Sequence, residues 1–315
     1  MTGGRECLGC HHEEDLHWAQ GCKAVLSEVW HDAHDGWEGS SKPYKVIERC
    51  LCPQYIRPNP AHRDAHGPSL PLRMAAEYDE NHPAHRVLTR LDQMIRGRQP
   101  ADVDAATSLA GWLAILGRGD QSASSCVSGT LREETLRDFL PFHTQQQVDL
   151  TQPHAAEWAR RLRSAARTAA VELLDKHESA TEVYVDPETH APVIRTNDAD
   201  ALWTTIPRRL PTTSPLAELV VGSLVWVRTE SGTLHLAPDQ EHQGYPWRRG
   251  STDWPTRLAT LVHLLLDDIT AVPSQTRGSE VPQSLRLFAE QTWPPSWAFT
   301  RGQLEAIRDG GPVTP

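Results

Sequence analysis

Five of the six cysteines lie between positions 7 and 52, and their spacing is suited to metal binding. Cys7 and Cys10 form a Cys-x2-Cys pair, which presents two thiolates from one tight turn, and Cys50 and Cys52 form a second, closer pair. Zinc is the expected ion, because it accepts a tetrahedral shell of four thiolates and needs no redox chemistry. Four protein ligands close that shell, so the sequence predicts a structural zinc site. Three further residues are alternative ligands: Cys22, His11 and His12.

Two other interpretations compete with a structural zinc site. In the first, the cysteines are reduced and pack in a small apolar core. A short segment with few aliphatic side chains can bury little apolar surface, however, so it favours stabilisation by a bound metal. In the second, His31, His34 and Asp35 hold the catalytic metal of a hydrolase. No glutamate stands next to these histidines as in the His-Glu-x-x-His helix of metalloproteases. We therefore assign no catalytic residue from the sequence.

The stretch from Glu6 to His11 has the order Cys-x2-Cys-His and resembles a piece of the zinc-bearing HNH nucleases. In that family a catalytic histidine stands upstream of the piece, and no histidine precedes Cys7 in this sequence. The resemblance implies a zinc-ligand pair, and it keeps a nuclease among the alternatives.

Net charge and composition restrict the classes of partner. The chain has 315 residues with 31 basic and 41 acidic side chains, and its formal net charge is −10 at pH 7. Strong nonspecific DNA binding depends on an excess of Lys and Arg, so it is disfavoured. No apolar run is long enough to span a bilayer and no signal peptide is recognisable, so we expect a cytoplasmic protein without membrane contact. In a reducing compartment, clustered cysteines bind metal more often than they form disulfides.

The middle of the chain has apolar residues at helical spacing. Four helices, beginning near Pro83, Ala105, Thr130 and Pro153, predict a helical bundle over residues 83–178. The fourth helix is expected to extend to residue 177, and it carries the basic cluster of the sequence. We expect this cluster to contact nucleic acid or an acidic partner, or to form a solvated face whose aliphatic stems cover the bundle. It consists of Arg160, Arg161, Arg163 and Arg167.

Beyond residue 179 the apolar period changes from helical to alternating. Residues 182–185 and 192–195 predict one β-hairpin, and residues 224–228 and 233–236 predict another. An apolar helix that begins near Pro255 is expected to pack on the resulting antiparallel sheet.

The last forty or so residues are predicted to hold two short helices, with a proline-rich connection between them. Trp293 and Trp297 stand in this connection. We expect them either to form a partner-binding patch or to strap the tail across its own domain.

One motif lies around the start of the apolar helix and consists of Tyr245, Trp247, Gly250, Ser251, Pro255 and Leu258. Through it, residues 216–271 resemble a small family of uncharacterised domains from phages and other mobile elements. Those domains share an aromatic residue, a tryptophan, a Gly-Ser-Gly-Pro stretch and a leucine-rich helix, whereas residues 252–254 here replace a single glycine. The resemblance implies a mobile-element setting and carries no catalytic role.

The sequence therefore predicts an α+β protein of several modules. An N-terminal zinc-binding module precedes a central helical bundle, and a small antiparallel sheet packed with helices follows, with a helical tail at the C-terminus. The expected boundaries are residues 1–67, 83–178, 181–273 and 274–315.

Function is expected to be binding, because none of the common local signatures of nucleotide-binding enzymes, hydrolases or deaminases occurs. We expect a noncatalytic, zinc-stabilised accessory or regulatory protein of a mobile element, which contacts a DNA-transaction enzyme or a host regulator. The first alternative is a regulator that binds DNA directly through the zinc module and residues 160–167. The second is a metal-dependent hydrolase or nuclease.

Overall fold

The computed structural model describes residues 68–238, 254–272 and 281–312, except positions 199 and 295, together with the backbone of four short strands in the first 67 residues. The chain divides into two compact units, Met1–Ser69 and Leu70–Pro315. The strands of the first unit form two antiparallel pairs. These pairs are β1 (His17–Trp18) with β2 (Gly21–Cys22), and β3 (Val25–His31) with β4 (Tyr44–Arg49).

The second unit begins with five helices, and three of them start at a capping side chain. His82 accepts a hydrogen bond from the backbone of Ala84, and Asp104 and Asp120 cap the next two longer helices in the same way. Such caps satisfy backbone donors that the first helical turn leaves unpaired. The helices are α1 (Leu70–Ala75), α2 (Pro83–Ile95), α3 (Ala105–Leu116), α4 (Gln121–Arg132) and α5 (Glu134–Arg137).

Helices α2 and α3 approach each other closely at Gly111. A Cβ atom at this position would lie only 2.5 Å from the carbonyl oxygen of Pro83, so the contact requires glycine. The next residue, Trp112, is 1% exposed and fills the core between the helices. Glycine at position 111 thus lets α2 and α3 come close together, and the neighbouring Trp112 fills the space beside that contact.

A five-stranded antiparallel sheet follows, in the order β5-β9-β8-β7-β6. Its hairpin β7–β8 has the predicted bounds, and its longest pairing joins β5 to β9. A short helix, α6 (Pro153–Ala159), connects β5 to β6. The strands are β5 (Phe142–Asp149), β6 (Arg163–Ser164), β7 (Glu182–Val185), β8 (Pro192–Arg195) and β9 (Ala201–Pro207).

A four-stranded antiparallel sheet, in the order β12-β11-β10-β13, packs with three helices. One apolar core runs through these helices and both sheets, from Val148 and Leu202 to Leu261 and Phe288. The strands are β10 (Leu216–Val221), β11 (Val225–Thr229), β12 (Leu234–Leu236) and β13 (Trp297–Thr300), and the helices are α7 (Trp254–Asp267), α8 (Gln283–Glu290) and α9 (Arg301–Arg308). None of the described helices is long and apolar enough to cross a membrane.

The α+β class, both hairpins and the C-terminal helices are confirmed, but the third and fourth predicted bundle helices are wrong. In this described part of the chain, no helix begins at Thr130, where α4 is close to its end at Arg132, and no helix covers residues 153–177. Helix α6 ends at Ala159, and residues 163–164 pair with β7 instead. The predicted bundle also contains β5, which pairs along its length with β9. Apolar spacing at helical period does not exclude other structure, because tertiary pairing overrides a local pattern. The expected boundaries near residues 178 and 273 therefore fall inside one compact unit.

Candidate functional site

A cleft of about 520 Å³ lies where the helical part of the second unit meets the five-stranded sheet. One wall comes from α2 and the start of α3, and the other comes from the connection between α5 and β5 and from the end of β9. Its volume is in the range of sites that bind small molecules or single side chains of a partner. Three arginines line it: Arg90, Arg208 and Arg209.

Arg90 lies on α2 with its guanidinium over the ring of Phe139, at 4.6 Å from the ring centroid. Its Nη1 donates to the carbonyl oxygen of Val103 at 3.3 Å. The Nε atom is buried and has no acceptor. Stacking occupies the face of a guanidinium and leaves its edges for hydrogen bonds, so this side chain is oriented but only partly paired.

Arg208 has a different role, because its donors are used within the protein. Its Nε donates to the carbonyl oxygen of Leu140 at 2.7 Å, and its Nη2 donates to the carbonyl oxygen of Arg137 at 3.0 Å and to Asp138 at 3.1 Å. Burial lowers the pKa of Arg208, and the charge of Asp138 opposes that effect. Arg208 thus fixes the end of β9 to the connection between α5 and β5, and this contact shapes the cleft.

Arg209 is exposed, and no hydrogen bond or ion pair to it occurs in the described part of the chain. Among the described residues that line the cleft, Asp138 is the sole carboxylate, and it contacts Arg208. The lining of the cleft therefore has an excess of positive charge on a protein whose formal net charge is −10. Hydrogen bonds from Thr270 and, to a smaller extent, the charge of Arg209 lower the pKa of Asp268, which does not line the cleft. Guanidinium groups beside apolar walls hold anions well, since fewer waters compete for them. Because arginine stays protonated, the cleft is suited to binding and not to proton transfer.

Sequence reasoning missed this cleft. Arg208 and Arg209 do stand together between Pro207 and Pro211, which is a local basic signal. Arg90, however, is far away in sequence and is indistinguishable from any other helix arginine. Only the packing of α2 against the end of β9 brings the three together.

No known family, curated protein or solved structure matches the chain. The function must therefore be argued from the site itself.

The predicted metal ligands lie outside the described residues. These are Cys7, Cys10, Cys50 and Cys52, the alternatives His11 and His12, and the side chain of Cys22. Among the described residues, no three His, Cys, Asp or Glu side chains are grouped to hold a metal ion.

The four arginines of the basic cluster do not share a helix face, so that prediction is wrong. Arg160 follows the end of α6, Arg163 is in β6, and Arg167 lies in the connection beyond it. These three are exposed, whereas Arg161 is turned inward. The chain has left the helix at this point, and Arg161 reaches a buried partner.

That partner is Asp186, in the turn between β7 and β8. Arg161 donates from Nε and Nη2 to the two oxygens of Asp186, at 2.9 and 2.6 Å, and from Nη1 to the carbonyl oxygen of Leu234 in β12. The indole of Trp158 donates to the same carboxylate at 2.9 Å. Burial acts to raise the pKa of Asp186, but the hydrogen bonds and charge of Arg161 outweigh it and hold the pKa below the usual value.

Of the two alternatives for the tryptophans, Trp293 follows the second, in which the tail packs on its own domain. This side chain is 6% exposed, donates its indole N–H to the carbonyl oxygen of Phe288, and packs on the rings of Phe288 and Phe299. Trp297 is partly buried against the same core and pairs with Val221 through β13. A large aromatic beside prolines gains more from burial in its own core than from exposure.

His235 in β12 is buried without a hydrogen-bond partner on either ring nitrogen. Burial and, to a smaller extent, the charge of Arg161 lower its pKa to about 4, against the opposing charge of Asp186. His235 is therefore neutral in the folded protein near pH 7.

The inward role of Arg161 can be tested against its exposed neighbour. We expect Arg161→Gln to lower the free energy of unfolding by about 3 kcal/mol, because the Asp186 carboxylate then stays buried without its cation. Arg163→Gln should change it by less than about 0.5 kcal/mol, since Arg163 is exposed. Urea denaturation followed by circular dichroism measures both. Equal effects would show that the buried pair does not hold the two sheets together.

The pH dependence of stability tests the buried state of His235. Its folded pKa lies below the unfolded value of about 6.5, so the unfolded chain binds the extra proton first, and stability is lost as pH falls through this window. We expect the free energy of unfolding to drop by about 1–2 kcal/mol more in the wild type than in His235→Leu between pH 7 and pH 5. His190→Asn, at an exposed histidine in the left-handed region, is the control and should keep the wild-type dependence. An unchanged pH dependence in His235→Leu would contradict this assignment.

Proposed function

We propose that the protein is a noncatalytic accessory protein, which acts through protein–protein contact, and that its arginine-lined cleft binds an acidic segment of the partner. The observation that carries this assignment is the pair Arg90 and Arg209 in a partly apolar cleft. Arg90 keeps an unpaired Nε, and no hydrogen bond to Arg209 occurs among the described residues. Clusters of arginine are a recurring way to read acidic motifs. On a chain of net charge −10, such a cleft also restricts where an acidic partner can dock.

The mobile-element setting rests on the resemblance of residues 216–271, whose motif residues Tyr245, Trp247, Gly250 and Ser251 lie outside the described residues. In such a setting, a DNA-transaction enzyme or a host regulator is the proposed partner. Direct DNA contact through residues 160–167 is less favoured, because Arg161 is committed to Asp186 and the remaining three arginines do not share a helix. The titratable side chains among the described residues of the cleft are arginines and one paired aspartate, which supports binding in place of catalysis.

Binding of a defined acidic probe tests the cleft. The probe is a fluorescein-labelled short peptide of alternating glutamate and leucine, with a glutamine-for-glutamate copy as the neutral control. We expect the acidic peptide to bind and Arg209→Gln to weaken it by about tenfold, because a guanidinium–carboxylate contact is lost. Fluorescence anisotropy gives the dissociation constants.

Arg86→Gln is the matched variant, since Arg86 is exposed on α2 outside the cleft and its loss changes the net charge equally. It should leave the affinity within about twofold of the wild type. The assignment is overturned if the acidic peptide does not bind, if the neutral peptide binds as tightly, or if the two variants weaken binding alike.

We further propose that zinc stabilises the first unit through Cys7, Cys10, Cys50 and Cys52. Isolated strand pairs as short as β1–β2 are only marginally stable in water, so the first unit needs a further source of folding free energy. Metal binding supplies it in small domains, and β4 ends one residue before the proposed ligand Cys50. The sixth cysteine, Cys126, is buried in α4 with its pKa raised to about 11 by burial, so it is a thiol and not a ligand.

Metal analysis of the purified protein tests the zinc site. We expect about one zinc per chain, lost in the Cys7→Ser, Cys10→Ser double variant and retained in Cys126→Ser. Zinc-free wild-type protein, or zinc that persists in the double variant, would remove the site.

A further inference from the structure

A small cavity of about 10 Å³ adjoins the arginine-lined cleft between α2 and α3. The two spaces share the side chains of Arg90, Ser108 and Phe139, and Trp112 closes the inner side of the cavity. A volume of this size admits one atom about as large as an oxygen.

Two donors at this cavity have no acceptor. The indole Nε1 of Trp112 is buried and unpaired, and so is the Nε of Arg90. Trp112 is 1% exposed, so solvent does not reach its N–H directly. Native proteins rarely leave buried donors unpaired, because the lost hydrogen bond to water is not replaced. Two such donors beside one cavity leave hydrogen bonds for an acceptor from outside the chain, either a water or an oxygen of a ligand that displaces it.

The edge of Arg90 that is unpaired is the one suited to a carboxylate. Its Nη1 is held by Val103, so the Nε and Nη2 donors, which point to the same side of the guanidinium, remain without partners in the described chain. This edge binds the two oxygens of a carboxylate side-on. In Arg208 the equivalent edge already donates to Leu140, Arg137 and Asp138. Of these two guanidinium groups, Arg90 is the one with the open edge.

We infer that Arg90 and Trp112 form a carboxylate-binding site at the inner end of the cleft, which selects one acidic side chain of the partner segment. This assignment rests on the proposed function, and it adds which residues of the cleft recognise an acidic side chain of the partner. One carboxylate oxygen accepts the N–H groups of Arg90 Nε and Trp112 Nε1, and the other accepts from Arg90 Nη2. Because Nε is buried, the oxygen enters between Ser108 and Phe139, and the half-buried Phe139 ring moves to admit it.

Nuclear magnetic resonance of the tryptophan indole N–H groups tests the site, with the Trp112 signal assigned by its loss in Trp112→Phe. On titration with the glutamate–leucine peptide, we expect the Trp112 signal to shift downfield and saturate, while the Trp293 signal, already bonded to Phe288, stays in place. Arg90→Lys keeps the charge but removes the side-on edge, and it should weaken the peptide by about tenfold and abolish the Trp112 shift. Arg86→Lys is the control and should change neither.

The outcomes separate the two levels of assignment. If the peptide binds and depends on Arg209 while the Trp112 signal does not move, the inner site is wrong and the cleft assignment stands. If the acidic peptide does not bind, both are wrong. If inorganic phosphate shifts the Trp112 signal as far as the peptide does, the site reads a tetrahedral oxyanion and the carboxylate assignment is overturned.

Discussion

The buried ion pair between Arg161 and Asp186 is the interaction on which the arrangement of the second unit depends. It lies where helix α6, the turn between β7 and β8, and the edge strand β12 meet, so it ties the five-stranded sheet to the four-stranded one. Removing either charge would leave the other in a medium that solvates it poorly. The additional bond from Trp158 satisfies the carboxylate further and fixes the orientation of α6.

A second ion pair supports the same junction closer to solvent. Arg228 of β11 binds Glu157 of α6 through both carboxylate oxygens, at 2.6 and 2.9 Å, and also contacts Glu218 of β10 at 3.2 Å. The hydrogen bonds from Arg228 lower the pKa of Glu157, so the pair stays charged as the pH falls toward the usual carboxyl range. Two arginine contacts therefore hold the C-terminal end of α6, one through Glu157 and one through Arg161, which follows the helix.

The arginines that line the cleft differ in how far the fold satisfies their donors. Arg208 donates from Nε and Nη2 to two backbone carbonyls and to Asp138 and builds the wall, whereas Arg90 keeps an unpaired edge and Arg209 makes no hydrogen bond among the described residues. The difference follows from the number of acceptors that the fold places around each group. Thr189, from the turn that begins at Asp186, also lines this cleft, so the sheet junction and the candidate site share one hairpin.

The sequence by itself determined the local elements whose signals are short-range. Alternating apolar residues set both hairpins, and helical apolar spacing set α2, α3 and α7, with Pro83 and Pro255 near the starts of α2 and α7. Features that depend on contacts between residues distant in sequence were decided by the tertiary structure. The residues after Ala159 have helical spacing, yet the chain turns there because Arg161 meets Asp186 and residues 163–164 meet β7. The cleft likewise exists only because α2 packs beside the end of β9. A buried charge costs so much without its partner that long-range pairing overrides a local period, and that pairing cannot be read from neighbours in the chain.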